Sequence, residues 1–290
     1  GPGPSPADVC PCALRAAPGT QEKLSKRKLE KYRNNPQFRG LFVAADRVWS
    51  RIGLEEDARP DPVMVSFYEQ MGFLPEAVFN ALARLGWSLD DRTEVMSRET
   101  IVESFSLSRV VKSPAGLDPD KLSSLQAHWM GERPGHERLE ACLGFLAAAG
   151  LIEEAGDEQT RQYVGRLLEA MGERLKIYSD VLDFDEFFVA DGDLCYDEKA
   201  VRKRIHKDGV PDRLGRLRDL LAVSESFDAS ALDALMHAFV EDEGIKIGEV
   251  IHAVRVAVSG KATGIGMFDC LELLGRERVL ARIDRALHEL

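Results

Sequence analysis

Apolar residues recur at helical spacing through the second half of the chain, and this periodicity constrains the fold more than any other feature. The repeats comprise Val164, Leu167, Leu168, Met171 and Leu175, then Leu214, Leu217 and Leu221, then Leu232, Leu235, Met236, Phe239 and Val240. We predict that Ser230 is the N-cap of the last of these helices. The sequence shows no strand pattern of comparable length. It therefore predicts a mainly α-helical fold beyond about residue 131.

Start signals predict three shorter helices before that point. Pro75 suits a first helical turn, Ser97 an N-cap, and Asp118 with Pro119 the opening of a third helix. The predicted apolar faces are Val78, Leu82 and Leu85 in the first helix, which Gly86 can end, then Ile101, Val102 and Phe105, then Leu122, Leu125 and Trp129. We expect these helices to form a compact connector.

Near the C-terminus, a segment beginning at Ile247 separates apolar from polar positions. Helical periodicity turns Val250, Ile251, Val254 and Val258 inward. It predicts an exposed opposite face that carries His252, Arg255 and Ser259. A glycine-rich turn at 260–266 and a last pair of short helices should follow.

Basic residues concentrate in two places, although the formal net charge of the chain is -11. The first includes the loop Lys23-Leu24-Ser25-Lys26-Arg27, whose mobile cations could fold over a polyphosphate or could form only a solvated basic turn. The second comprises Lys199, Arg202, Lys203, Arg204, Lys207, Arg213, Arg216 and Arg218. Composition alone favours a solvated helix face there, with Asp197, Glu198, Asp208 and Asp212 as ion-pair partners. Local patches of this kind can nevertheless bind nucleic acid on an acidic protein.

Composition and spacing exclude several other classes of protein. A hydrophobic content of 44% is ordinary for a globular protein, and no apolar run approaches the ~20 residues that span a bilayer. We expect a cytoplasmic protein without a membrane partner, with reduced thiols and a tail lacking a fixed fold at residues 1–18. Lone histidines and the Cys10-Pro-Cys12 pair do not make a metal site, so no metal ligand is predicted.

Ordered short motifs then give a specific resemblance. They are Gly72-Phe73-Leu74-Pro75-Glu76-Ala77-Val78, Leu85-Gly86-Trp87-Ser88, Phe105-Ser106-Leu107-Ser108-Arg109, Lys112-Ser113-Pro114-Ala115, Arg255-Val256-Ala257-Val258-Ser259-Gly260 and Phe268 to Gly275. Together with Lys23 to Arg27, this series resembles the C-terminal half of bacterial glutamate-tRNA ligases, class I aminoacyl-tRNA synthetases with a KMSKS-type loop. An insertion of roughly thirty residues, ending at the Pro60-Asp61-Pro62 breaker, departs from the family pattern.

The resemblance implies a particular domain order. Residues 1–62 would hold the tail, the KMSKS-type loop and the insertion, at a remnant edge of a Rossmann-type catalytic domain. Residues 63–130 would form a helical stem-contact connector. Residues 131–290 would form an all-helical anticodon-binding cage, which could divide into two subdomains near 210.

The resemblance also implies roles for individual residues. Lys23 and Lys26 would be catalytic, and Ser25, Lys26 and Arg27 would bind ATP with its Mg²⁺. Arg255, His252 and Ser259 would bind tRNA, with Arg255 at the anticodon, although an ion pair of Arg255 with Glu249 or a neighbouring acid is an alternative. The expected partners are glutamate tRNA, with or without glutamine tRNA, while glutamate and ATP would bind through an N-terminal half upstream of residue 1. We expect a monomer that is inactive alone.

Two other functions compete with this one. A stand-alone helical module could grip tRNA without activating an amino acid, and a helical scaffold could lack an RNA partner altogether. The order of the motifs argues against the scaffold.

Overall fold

The computed structural model of this chain describes residues 15–16, 29–111, 115–153 and 156–289. These residues are mainly α-helical, which confirms the predicted fold class. Strands β1 (Arg15–Ala16) and β2 (Ala115–Gly116) pair in parallel over two residues each. A short strand thus occurs within the tail that was expected to lack a fixed fold, and the rest of that tail lies outside the described residues.

The chain divides into two compact units. Unit 1 is Gly1–Gly150 with Glu173–Leu182, and unit 2 is Leu151–Gly172 with Asp183–Leu290. This division falls after Gly150, whereas the predicted boundary between connector and cage lies near residue 130. The helix that follows residue 130 therefore belongs to unit 1.

Unit 1 contains seven α-helices within its described residues. They are α1 (Leu29–Arg33), α2 (Pro36–Arg51), α3 (Val65–Gln70), α4 (Pro75–Ala83), α5 (Arg98–Ser104), α6 (Pro119–Glu132) and α7 (Gly135–Ala148), with 3-10 helices at Glu56–Ala58 and Leu107–Arg109. The predicted start signals are confirmed. Pro75 begins α4, the Ser97 hydroxyl accepts a hydrogen bond from Thr100 N at 3.2 Å, and the Asp118 carboxylate accepts from Asp120 N at 2.9 Å.

The buried face of α4 differs from the prediction. Val78, Leu82 and Leu85 are only half-buried, whereas the neighbouring face, which contains Asn80, is buried. The Asn80 amide donates to Glu94 O at 3.1 Å and accepts from Met96 N at 3.0 Å. This side chain supplies backbone hydrogen bonds to an irregular segment, and such a need leaves no trace in hydrophobic periodicity.

The inserted segment contributes packed helices. Trp49 of α2 is buried and meets Phe67 of α3 edge to face, with ring centroids 5.4 Å apart. Tyr32, Phe38 and Phe42 form a second buried cluster across α1 and α2. Aromatic burial of this extent shows that the segment predicted to be an insertion adds to the core of unit 1.

Backbone contacts bind Glu173–Leu182 into unit 1. Tyr178 N donates to Gly72 O at 3.1 Å, and the Ser179 hydroxyl donates to Met71 O at 2.8 Å. Gly72 has φ +81°, and a Cβ placed there would lie 2.9 Å from Tyr178 Cβ. A glycine is required at this close approach.

Unit 2 is built around its last helix. Its α-helices are α8 (Glu158–Met171), α9 (Glu198–Arg204), α10 (Val210–Val223), α11 (Ala229–Asp242), α12 (Ile247–Ser259) and α13 (Met267–His288). A 3-10 helix at Asp191–Asp193 belongs to unit 2, whereas those at Gly172–Arg174 and Tyr178–Phe187 each include residues of both units. Helix α13 contacts α8, α10, α11 and α12. Its backbone breaks at Gly275, where φ is +77°, so the predicted pair of short helices is confirmed.

The predicted N-cap of α11 was wrong. The helix begins at Ala229, and the Asp228 carboxylate accepts from Ala231 N at 2.9 Å, so Ser230 lies inside the first turn. A carboxylate is a strong acceptor and also favours the positive end of the helix dipole. The predicted inward face is confirmed, since Leu232, Met236, Phe239 and Val240 are buried.

Candidate nucleic-acid interface

The basic loop Lys23 to Arg27 lies outside the residues that the structure describes. The roles assigned to Lys23, Ser25, Lys26 and Arg27 therefore remain predictions. The described part of the chain does contain the other predicted site, on α12.

Helix α12 is buried on a wider arc than its periodicity suggested. Val250, Val254 and Val258 are buried as predicted, and Ala253, Val256 and Ala257 are buried too. The reason is that α9, α10, α11 and α13 all contact α12. Only a narrow polar strip is left exposed.

Two of the three predicted residues lie on that strip. His252 is exposed and Arg255 is half-buried. Ser259 was expected to be exposed, but this was wrong, because its side chain is only 2% exposed and its hydroxyl donates to Arg255 O at 2.8 Å. The chain folds back over this end of α12, so Ser259 serves the helix terminus and does not face solvent.

The Arg255 guanidinium packs against the glycine-rich turn. Its Nη1 donates to Ile265 O at 2.8 Å, and a Cβ at Gly264 would lie 3.1 Å from the same nitrogen. The alternative ion pair with Glu249 is absent among the described contacts, since Glu249 accepts from Lys246 N and approaches Arg213 at 3.9 Å. One edge of Arg255 is thus held by the protein.

Helix α9 brings a further cation to the same face. Burial and the positive charges of Arg204 and Arg255 lower the pKa of His252. Arg204 had been assigned to the second basic cluster and was not singled out as a site residue. The signal available in the sequence was the density of basic residues around it, which does not show which helix it would face.

A close backbone contact fixes α9 against α12. Gly260, at the C-terminal end of α12, has φ +73°, and a Cβ there would overlap the Cys195 carbonyl oxygen. Gly260 O accepts from Asp197 N at 2.9 Å, and the Tyr196 hydroxyl donates to Ala257 O at 3.0 Å. The N-terminus of α9 is therefore seated on the last turn of α12.

Two ion-pair groups, each with one buried member, lie at the C-terminal end of α12. Arg282 is fully buried and donates to Asp191 Oδ1 and Val258 O, both at 2.6 Å. Lys261 Nζ lies 2.6 Å from both Asp185 Oδ1 and Glu186 Oε2. Burial raises the pKa of Glu186, and the charge and hydrogen bond of Lys261 oppose that shift. These hydrogen-bonded groups hold the C-terminal end of α12 in place.

The second basic cluster has two different environments. The α10 arginines Arg213, Arg216 and Arg218 face acids, among which Glu243 lies 2.6 Å from Arg216 and Asp284 lies 2.8 Å from Arg218. The nearest acids are thus not the predicted Asp197, Glu198, Asp208 and Asp212. The cations of α9 have no ion pair or side-chain hydrogen bond with any of the described residues.

Unit 1 carries an apolar surface of its own. Between α5 and the segment after it, the side chains of Val102, Phe105, Leu107 and Val111 are 49–64% exposed. Val102 and Phe105 were predicted to lie on the buried face of this helix, and this was wrong. Large apolar side chains left exposed close together are candidates for contact with another polypeptide.

Other kinds of site are not found in the described residues. No group of three or more histidine, cysteine or acidic side chains there could hold a metal ion. None of the described helices has the length and apolar character needed to cross a bilayer. Burial raises the pKa of Cys142 and of Cys270 to about 12, which leaves both thiols unreactive at neutral pH.

Two family profiles match the sequence. The profile described as "Anticodon binding domain" matches residues 136–287. The profile described as "tRNA synthetases class I (E and Q), catalytic domain" matches residues 59–124. The first includes the whole polar strip of α12, and the second includes the exposed apolar surface of unit 1.

Curated relatives are glutamate-tRNA ligases. The ligase of Moorella thermoacetica is 38% identical over 222 residues, which are 77% of this chain and 45% of the relative. That of Herpetosiphon aurantiacus is 32% identical over 246 residues, which are 85% of this chain and 50% of the relative. The chain spans about half the length of the curated relatives it matches.

Solved structures agree on the fold. A glutamate tRNA ligase from Elizabethkingia meningosepticum, crystallised in complex with its amino acid, aligns with a TM-score of 0.74 at 23% identity. It covers 96% of this chain, which corresponds to 50% of that structure. The glutamate-tRNA synthetase of Elizabethkingia anophelis gives a TM-score of 0.70 at 23% identity.

Proposed function

This chain belongs to the family of class I glutamate-tRNA ligases. We therefore propose that it supplies tRNA recognition for the ATP-dependent attachment of glutamate to tRNA. In this proposal unit 2 binds the anticodon of glutamate tRNA. Arg255 reads an anticodon base, and His252 and Arg204 flank it.

The placement of Arg255 carries the proposal. Its Nη1 donates to Ile265 O, which holds the guanidinium against the glycine-rich turn, and its other nitrogens make no hydrogen bond to the described residues. A fixed planar donor set can stack on an unpaired base and hydrogen-bond its edge. Anticodon bases are unpaired, so they can be read in this way.

Catalysis would need groups beyond those described. In our proposal Lys26 contacts the phosphates of ATP, bound with Mg²⁺, and stabilises charge as pyrophosphate leaves, while Ser25 also binds ATP and Lys23 and Arg27 position the loop. The exposed surface formed by Val102, Phe105, Leu107 and Val111 would pack against the nucleotide-binding part of a class I ligase. Its location within the segment that matches the catalytic-domain profile supports this occupant.

The proposal also covers the oligomeric state, the cellular location and the tRNA specificity of the enzyme. We propose a monomer that acts in the cytoplasm and charges glutamate tRNA, with glutamine tRNA as a second substrate to be tested. Charging of each purified tRNA by the reconstituted enzyme would separate the two specificities.

The alternative function is a helical module that binds tRNA without taking part in activation. Glutamate-dependent pyrophosphate exchange distinguishes the two. We expect no exchange from this polypeptide alone, and exchange after a nucleotide-binding part is supplied. Absence of exchange in the reconstituted enzyme would favour the alternative.

The decisive experiment compares Arg255→Ala with the wild-type chain on two tRNAs, one with the native glutamate anticodon and one with a substituted anticodon. Loss of a stacked or hydrogen-bonded base should weaken binding of the native tRNA by about 1 to 3 kcal/mol. The substituted tRNA should bind both proteins equally weakly. Equal losses on both tRNAs would mean that Arg255 touches only phosphate, and no loss on either would make it a structural residue.

Arg255→Lys is the matched variant. Lysine keeps the charge but lacks the planar fork that recognises a base. We expect it to bind the native tRNA almost as weakly as Arg255→Ala does, with the helical circular dichroism of all three proteins unchanged.

A further inference from the structure

The cations of α9, with one that follows it, have no acidic partner among the described residues. This α9 cationic face consists of Lys199, Arg202, Lys203 and Arg204 of α9 together with Lys207, which follows the end of the helix, and all but Arg204 are exposed. None of the five has an ion pair or a side-chain hydrogen bond within the described residues. Glu198 and Arg202 are four residues apart, yet even they lie beyond ion-pair distance.

The arginines of α10 differ from the α9 cationic face, so the lack of ion pairs on that face follows from the fold and not from the composition of the basic stretch. The three α10 arginines belong to the same basic stretch, and each faces an acid from another helix. Exposed acids do lie in the same stretch, at Glu198 and Asp208 among others, but no ion pair joins them to these cations within the described residues, and Asp197 accepts from the backbone amides of Lys199 and Ala200 at 2.8 and 3.1 Å. Unit 2 thus pairs one half of the basic stretch and leaves the other half unpaired.

Unpaired cations at this spacing cost stability. Lys199 and Lys203 stand four residues apart on α9, and like charges at that spacing on a helix repel each other. A bound polyanion would remove this repulsion. The positive field reaches α12, since Arg204 and Arg255 both act on the pKa of His252.

We propose that the α9 cationic face binds the phosphate backbone of tRNA beside the base-reading strip of α12. This inference rests on the proposed function, since it assumes that unit 2 binds tRNA. It adds a different kind of contact, because phosphate contacts position a nucleic acid and carry no sequence information. Anchoring by the Gly260 contact gives the two surfaces a fixed relation to each other.

The test compares two double variants that remove the same formal charge. Lys199→Gln/Lys203→Gln changes the unpaired face, and Arg216→Gln/Arg218→Gln changes the paired arginines of α10. Affinity for glutamate tRNA is measured from low to high salt, with each variant checked by circular dichroism. The α9 variant should lower the slope of log affinity against log salt by about 1.5 and weaken binding roughly 10- to 60-fold at 0.1 M salt. The α10 variant should change the slope by less than half as much.

The anticodon-substituted tRNA separates this proposal from the proposed function. The α9 variant should lose the same factor on native and substituted tRNA. A loss confined to the native tRNA would show that α9 reads bases, which overturns the phosphate assignment. An unchanged affinity and slope in a folded α9 variant would overturn this inference alone, whereas failure of the wild-type chain to bind either tRNA would overturn both proposals.

Discussion

Gly260 lies at the contact that joins α9 to α12, so its substitution tests the geometry of the candidate interface. In Gly260→Ala the new Cβ would lie 3.1 Å from the Cys195 carbonyl carbon and closer still to its oxygen. Since backbone lies on the other side of the contact, no flexible side chain can move away. The segment before α9 has to shift instead, which also weakens the hydrogen bond from Asp197 N to Gly260 O.

The expected cost has two parts. A left-handed conformation costs an alanine about 1 to 2 kcal/mol, and overpacking at a tight contact costs about 1 to 3 kcal/mol. The free energy of unfolding should therefore fall by about 2 to 5 kcal/mol. Urea unfolding monitored by far-ultraviolet circular dichroism would measure this change. Tryptophan fluorescence would follow unit 1 separately, because the three tryptophans, at 49, 87 and 129, all belong to unit 1.

Gly244→Ala is the matched control. Gly244 also belongs to unit 2 and has φ +64°, but a Cβ there meets no atom within 4 Å. The control should lose only the conformational part, about 1 to 2 kcal/mol. If Gly260→Ala costs no more than Gly244→Ala, the close approach of Cys195 is not a real constraint and the seating of α9 on α12 is wrong.

Three further predictions concern buried polar groups and the ATP loop. Lys261→Met should leave Glu186 buried without its cation and destabilise the protein by about 3 kcal/mol at neutral pH. The pKa of Glu186 is already raised by burial and should rise further in the variant. The native state then binds a proton that the unfolded state does not, so the deficit should shrink as pH falls through that raised pKa towards 4.5, and a pH-independent deficit would contradict the reasoning. Asn80→Ala should cost about 1 to 3 kcal/mol because Met96 N loses its acceptor, and tryptophan-monitored urea unfolding that shows no loss would contradict this. In a reconstituted enzyme Lys26→Ala should lower kcat and kcat/KM together while tRNA affinity stays unchanged, and an unaltered activation rate would make the loop a solvated turn.

Local signals in the sequence were sufficient for most helix positions. Ser97 and Asp118 cap the helices they were predicted to cap, and Gly275 breaks α13 where two short helices were expected. Each of these effects arises within one turn of the chain. A local pattern can therefore report them.

Features that depend on several helices could not be predicted in the same way. The burial of Ser259 follows from the chain folding back after α12, and the burial of Asn80 follows from an irregular segment fourteen residues away. The two environments of the basic stretch depend on acids more than twenty residues distant, such as Glu243 and Asp284. Helical periodicity shows which face is apolar, but it does not show how many neighbours cover the polar one.

Footprinting of glutamate tRNA by the wild-type chain tests the central claim most directly. We expect the anticodon bases to be protected from single-strand-specific chemical modification, with protection lost on addition of excess unlabelled tRNA and reduced in Arg255→Ala. Binding of the tRNA with the anticodon bases as reactive as in free tRNA would contradict the claim that unit 2 recognises the anticodon.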